Sequence, residues 1–238
     1  MRRYSIQILH TCIVLLTVYH VHAQQHSIVI QFHPKVGAQQ LQLFTEAYSN
    51  SNGEPFTVNR FRFYVSHIVL IDEHRQEQTF SNDYFLVDAA DTASQKIMLP
   101  TSFKKIHAIR FTVGVDSLRN VSGVQTGALD PMNGMFWTWN TGYVFAKLEG
   151  QSDSSHMAAH TFSYHVGGYK PGENATRVVV LKTNTDNDSI DITVDELKWF
   201  GGKHLISIQQ YPVCHQPGSL AMQLADNIAG SFSIENHP

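Results

Sequence analysis

The sequence is short of the residues that staple, hydrolyse or grip nucleic acid. Two cysteines occur in 238 residues, and Cys12 falls in an apolar leader. The residues before it, Leu9-His10-Thr11, do not form a lipoprotein cleavage box. Cys214 is then alone, which excludes an intrachain disulfide and leaves stability to the core. A lone thiol in an exported chain is either buried and inert or a soft metal ligand. There is no G-x-S-x-G, no P-loop and no H-E-x-x-H. No pair of carboxylates is recognisable as general acid and base, so the expectation is a protein that is not an enzyme. Basic runs are absent as well. With 17 basic and 20 acidic residues, the chain lacks the clustered Lys and Arg that nucleic-acid binding requires. There is no linker, low-complexity block or internal repeat. Past the leader, no apolar run approaches the roughly 18 residues that span a bilayer.

What is present begins with Met-Arg-Arg, an apolar run from Ile6 to Val18 and then Val21-His22-Ala23. A basic start, a short apolar stretch and a small residue before the cut make a secretory signal peptide. Residues 1–23 are expected to be removed before Gln24, leaving 24–238 as a single domain without a membrane span, in the periplasm, secreted or at the cell surface. The mature chain then carries 15 basic and 20 acidic residues, a net charge of −5.

Period-two alternation dominates that chain. Strands are predicted over Ser27–Phe32, Tyr84–Val87, Ile106–Val115, Gly142–Leu148, His160–Val166 and Thr176–Leu181. Phe56–Ile71 reads as one long strand or a hairpin. Polar turn clusters such as "NSNGEP" and "TNTDNDS" separate them. Helical periodicity is confined to a short turn over Asp195–Phe200 and to Ser219–Ile228. The expected fold class is all-β, a β-sandwich with long loops and one or two short helices.

Histidine is over-represented. Of 14, three lie in the leader and 11 remain. Imidazole and thioether side chains in an exported protein suit copper or zinc. The densest cluster is "SSHMAAHTFSYHVGG", with His156, Met157, His160 and His165. In an extended strand His160 and His165 point to opposite faces, so they share an ion only across a bulge or if His160 lies in the loop. His33 in "FHPKVG" and His67 in "FYVSHIVL" are further candidates, although a histidine within an apolar strand is more often a hydrogen-bonded core residue. His215 beside Cys214 offers a nitrogen and a sulfur to one ion. "DNDSID" starts like a calcium loop but lacks the glycine and closing glutamate of an EF-hand.

The stretch "NVSGVQTGALDPMNGMFWTWNTGYVFAKLEG" resembles the bacterial MbnP-like family, periplasmic or surface proteins connected with copper handling. "FTVNRFRFYVSHIVL", "RFTVGVDS", "FSYHVGGY" and "AMQLADNIAGSFSI" match the same pattern in order. The resemblance implies an exported, mostly β, non-catalytic protein that binds copper. In some relatives histidines share the copper with a kynurenine made by oxidising a tryptophan, with a di-haem peroxidase as partner. The metal candidates are His165, His160, His33 and His67; of these the resemblance carries over His165, together with Trp137 and Trp139 of "MFWTWN" as the candidate oxidised residues. Packing is the alternative for the two indoles. Their i, i+2 spacing puts both rings on one face of a strand, after a turn begun at Leu129-Asp130-Pro131 and closed at Asn133-Gly134. A metal-free module that binds a partner protein or small ligand through its loops is the other functional expectation.

Overall fold

The computed structural model describes residues 26–235 apart from 141. The predicted leader, residues 1–23, lies outside the described residues.

Fourteen strands and three short α-helices follow one another among the described residues. The chain runs β1 (His26–Val36), β2 (Gln39–Gln40), β3 (Tyr48–Ser49), β4 (Pro55–Asp72), β5 (Glu77–Asp88), β6 (Lys96–Thr101) and β7 (Ile106–Val113). Next come α1 (Ser117–Val121), β8 (Phe136–Trp137), β9 (Gly142–Gln151), β10 (Thr161–Gly167), β11 (Arg177–Thr185) and β12 (Ser189–Asp195). Last are α2 (Lys198–Gly201), β13 (Val213–Cys214), α3 (Ser219–Ala229) and β14 (Phe232–Ile234). The all-β class holds, and so do both helical predictions to within a few residues.

Two sheets result. The smaller has the order β14-β12-β1-β2, with β6 also on β1; the larger runs β11-β7-β4-β9-β10-β13, with β3 and β5 on β4 and β8 on β9. Period-two alternation decides which side of each strand meets the other sheet. On β1 every second residue from Ile28 to Val36 is buried, and His33 and Lys35 face outward. Phe32 of β1 meets Phe63 of β4 edge-to-face at 5.5 Å and Phe111 of β7 at 6.1 Å. These ring contacts cross from one sheet to the other and define a sandwich. Phe56, Phe162 and Phe200 close one end, with Phe56 and Phe200 4.8 Å apart.

Phe56–Ile71 is one strand, not a hairpin. It bends at a bulge between Ser66 and Ile68, where His67 adopts φ 50°. Two strands longer than three residues escaped the sequence reading, besides several very short ones. β12 was hidden because Asp and Ser alternate with its Ile and Val residues, so "DNDSID" is the turn into a strand rather than a calcium loop. It pairs parallel with β1, from Val29 opposite Ser189 to Lys35 opposite Asp195. β6 carries Pro100, which strand interiors disfavour; it tolerates it as an antiparallel partner of β1.

Behind β12, Glu196 is fully buried at 0% exposure, and neither carboxyl oxygen has a hydrogen-bond partner among the described residues. Burial pushes its carboxyl well above the ordinary value, because a charge there would be unsolvated. A folded-state pKa above the unfolded one means stability is fullest below the unfolded value and is lost as pH rises. Glu196→Gln is therefore expected to stabilise the protein by on the order of 1 kcal/mol at neutral pH. Urea midpoints for both proteins from pH 5 to 8 check this: the gap should widen as pH rises, and a constant gap would refute it.

Candidate functional site

The "LDPMNG" segment is a pinned loop. Asp130 caps a 3-10 turn, its carboxylate accepting from the Met132 amide, and Gly134 closes the turn at φ 69°. Side chains from the larger sheet donate to the loop's carbonyls. Tyr64 Oη reaches Ala128 O at 2.9 Å, Tyr143 Oη reaches Leu129 O at 2.7 Å and Arg62 Nη1 reaches Asn133 O at 2.9 Å. Lys147 Nζ donates to Gly134 O at 2.5 Å. Asn120 ties α1 to β9 by donating to Val115 O and accepting from the Tyr143 amide. Together the bonds from Tyr64, Tyr143, Arg62 and Lys147 satisfy loop carbonyls with donors from the sheet.

The chain leaves this loop through the two-residue strand β8. Trp137 is buried at 6% exposure, but the strand ends there and a turn swings Trp139 out to 64% exposure. The expectation that both rings pack into one layer is thus corrected. The indoles still touch each other, with centroids 5.8 Å apart. Among the described residues, Trp137 Nε1 has no hydrogen-bond partner. The ring of Trp137 lies against Gly167: a Cβ added to that glycine would sit 2.8 and 2.9 Å from ring atoms Cζ3 and Cη2.

Gly167 is two residues beyond His165 on β10, and a second imidazole waits there. His165 and His215 stack with centroids 4.2 Å apart and planes 25° apart. Strand β13 pairs parallel with β10, setting Cys214 opposite Tyr164, and so delivers the next residue, His215, to the outer face. Both rings approach Ser163 Oγ, His215 Nε2 at 2.8 Å and His165 Nε2 at 3.2 Å. Glu149 of β9 accepts from His165 Nε2 at 2.7 Å. That bond, outweighing burial and helped by Lys147, holds the Glu149 carboxyl below its ordinary value. Burial and the neighbouring His165 hold His215 below the usual imidazole value, which keeps it neutral and able to donate a lone pair.

Cys214 does not join its neighbour. It is 4% exposed on the core side, and burial pushes its thiol up to about 11. The strand alternation that sends His215 outward sends Cys214 inward, so the two do not converge on one ion. A cavity of about 480 Å³ opens beside them, lined by Trp139, Cys214, His215, Pro217 and the first residues of α3.

The other sequence-predicted histidines sit elsewhere. His160 occupies a turn before β10 with φ 52°, its Nδ1 3.1 Å from Ser155 O. The five strand residues from Thr161 to His165 put roughly 16 Å of backbone between it and the stacked pair. His33 faces out from the smaller sheet, 2.7 Å from Asp191. His67 is aimed outward by its bulge, toward Asp116 at 3.7 Å and the Tyr84 ring; it is not a core residue. Among the described residues no three His, Cys, Asp or Glu side chains form a ready-made metal cage. Sequence reasoning missed the His165–His215 pairing, Glu149 and Gly167. Only the parallel docking of β13 joins residues 50 positions apart, and no local signal marks it.

No curated protein matches this chain. Among solved structures, it is similar to MbnP from Methylosinus trichosporium, with TM-score 0.62 and 15% identity over 89% of this chain and 98% of that one. At that identity the likeness speaks for the fold. The MbnP family model matches residues 25–216, from the first strand to just past His215. The chain belongs to the MbnP family.

Proposed function

We propose that this is an exported, non-enzymatic copper-binding protein serving metal storage or delivery. The observation that carries the reading is the His165–His215 stack over Glu149, set beside the two indoles of the family motif. Two imidazoles within reach of one point, one held neutral and the other paired to a carboxylate, suit a borderline or soft ion. In this reading His165 and His215 hold the copper and Glu149 orients His165 from behind. Copper, when bound, supplies a polarisable, redox-capable centre that neither ring provides alone. Gly167, two residues beyond His165 on β10, leaves room for the Trp137 ring. A partner of the di-haem peroxidase type would oxidise one of these tryptophans, giving an arylamine that ligates copper where an indole does not.

The test is metal retention. The mature chain, loaded with copper and desalted, should keep close to one copper per chain. His165→Ala and His215→Ala should each strip it, His160→Ala should not, and Glu149→Gln should weaken binding ~10–100-fold. Substoichiometric copper that is indifferent to His165 and His215 sinks the proposal. A mass spectrum of the native peptide containing Trp137 and Trp139 reports on oxidation.

A metal-free module for a small ligand is the second reading, favoured by the open cavity beside exposed Trp139. Quenching of tryptophan fluorescence by a ligand in the absence of metal, lost in Trp139→Ala, would support it.

A further inference from the structure

A mismatch in register opens the ladder between β4 and β5 and leaves unspent charge beside it. Ser66 of β4 faces Tyr84 of β5 and Ile68 faces Phe80, so His67 alone is set against Ser81, Asn82 and Asp83. The three surplus residues are exposed. Bulges of this kind re-aim side chains and recur beside functional sites. Here Asn82 and Asp83 form one wall of a cavity of about 310 Å³, whose other walls are Arg119 of α1 and the loop from Gln125 to Leu129.

Arg119 is held in place by a closed set of contacts. Its guanidinium lies over the Tyr84 ring, 5.6 Å from the centroid, and Nη1 donates to Gln125 Oε1 at 3.4 Å. Tyr84 Oη donates in turn to the Asp116 carboxylate, which accepts from the Arg119 amide at 3.0 Å. The His67 ring packs edge-on against Tyr84 at 5.9 Å. Among the described residues neither Arg119 nor Asp83 forms an ion pair. Of the described residues lining the cavity, only these two are charged.

We propose that this cavity binds a free α-amino acid as its zwitterion, with the carboxylate on the Arg119 fork, the ammonium on Asp83 and the side chain against Phe85 and Ala128. One charge of each sign selects the class. A simple anion is repelled by Asp83 and a simple cation by Arg119, whereas a zwitterion satisfies both. A guanidinium presents two parallel N–H groups that match a carboxylate, and such charge-assisted pairs are the strong ones. Asn82 and Thr126 add uncharged donors and acceptors to the same walls. The volume lies at the lower end of the ~300–1,000 Å³ common for small-molecule sites, which suits one amino acid better than a peptide. A second cavity of about 540 Å³ shares Tyr84, Phe85 and Ala128 and continues toward Leu86 and Met132. A long apolar side chain therefore has somewhere to extend. The site shares no residue with the stacked histidines or with the cavity beside Trp139, so it stands or falls apart from both readings above.

Thermal melts of the mature chain with each standard L-amino acid in millimolar excess, chelator present, find the ligand, because a bound zwitterion raises the melting temperature by mass action. Calorimetry then gives its affinity. The amide of the same amino acid lacks the carboxylate and its N-acetyl form lacks the ammonium; each should bind at least about tenfold more weakly. Asp83→Asn and Arg119→Gln should weaken the amino acid to the same degree. Asp83 is exposed, so its variant tests the site even if Arg119→Gln fails to fold. Absence of amino-acid binding, equal binding of the amide or the N-acetyl form, or wild-type affinity in Asp83→Asn overturns the proposal.

Discussion

Glu54→Ala should remove about 4 kcal/mol of stability, because four donors converge on this one carboxylate and would lose their acceptor. Glu54 is buried just before β4 and accepts from Asn50 Nδ2 at 2.7 Å, Ser207 Oγ at 2.7 Å, the Ile208 amide at 2.8 Å and the Gln209 amide at 3.0 Å. It stitches the 50–54 turn to a segment more than 150 residues away. Each buried donor left alone costs ~1–3 kcal/mol, while truncation of the side chain leaves no group to replace it. For a domain of this size the loss corresponds to roughly 10–15 °C in melting temperature. A thermal melt by circular dichroism reads it directly, and a drop of only one or two degrees would show that water replaces the carboxylate.

The same residue shapes the acid limb of stability. Burial alone would raise its carboxyl pKa, but the hydrogen bonds from Asn50, Gln209, Ile208 and Ser207 together hold it below the ordinary value of 4.5. A folded-state pKa that is depressed contributes stability above the unfolded value and loses it as pH falls through the folded one. The wild type should therefore lose ground to Glu54→Ala as pH drops below about 4.5. Parallel melts from pH 6 down to 3 should show the two curves converging.

Gly167→Ala is the second large effect, and it joins fold to site. Gly167 ends β10, where the register with β9 shifts after Val166. An added Cβ would lie 2.5 Å from Tyr143 O, a backbone atom of β9, besides meeting the Trp137 ring. The carbonyl cannot retreat without breaking the ladder, and the ring is buried at 6% exposure. Overpacking of this kind costs ~1–3 kcal/mol, and here the upper part of that range is expected. Tryptophan emission should shift to the red as the indole is displaced toward water. If the copper reading is right, retention should fall as well, although neither histidine has been touched. A variant with wild-type melting temperature and emission would mean that β10 and β9 slide apart freely at this point.

Much of the fold was legible because burial has a period. Alternation along Ser27–Phe32, Gly142–Leu148 and His160–Val166 marks strands whatever their partners, and Ser219–Ile228 shows a helical stripe. The turn at Asp130-Pro131 and Gly134 was readable for the same local reason, since only certain residues tolerate those dihedrals. What misled was polar composition and an early strand end. β12 carries so much Asp and Ser that its start looked like an ion-binding loop. Trp137 and Trp139 looked like one face of a strand because nothing in "MFWTWN" announces that the strand stops after two residues.

The sequence by itself determined the all-β class, the family motif and the supply of histidines. Those are properties of composition and short-range pattern, and they survive without knowing where any strand docks. Only the tertiary structure decided which histidines meet. His165 was paired with His215 by the parallel docking of β13 on β10, and His33 with Asp191 and Glu235 by the neighbouring of β1, β12 and β14. Strand order and register are set by how two whole sheets bury their aromatic faces against each other. That is a sum over the entire core, and no single stretch of sequence carries it.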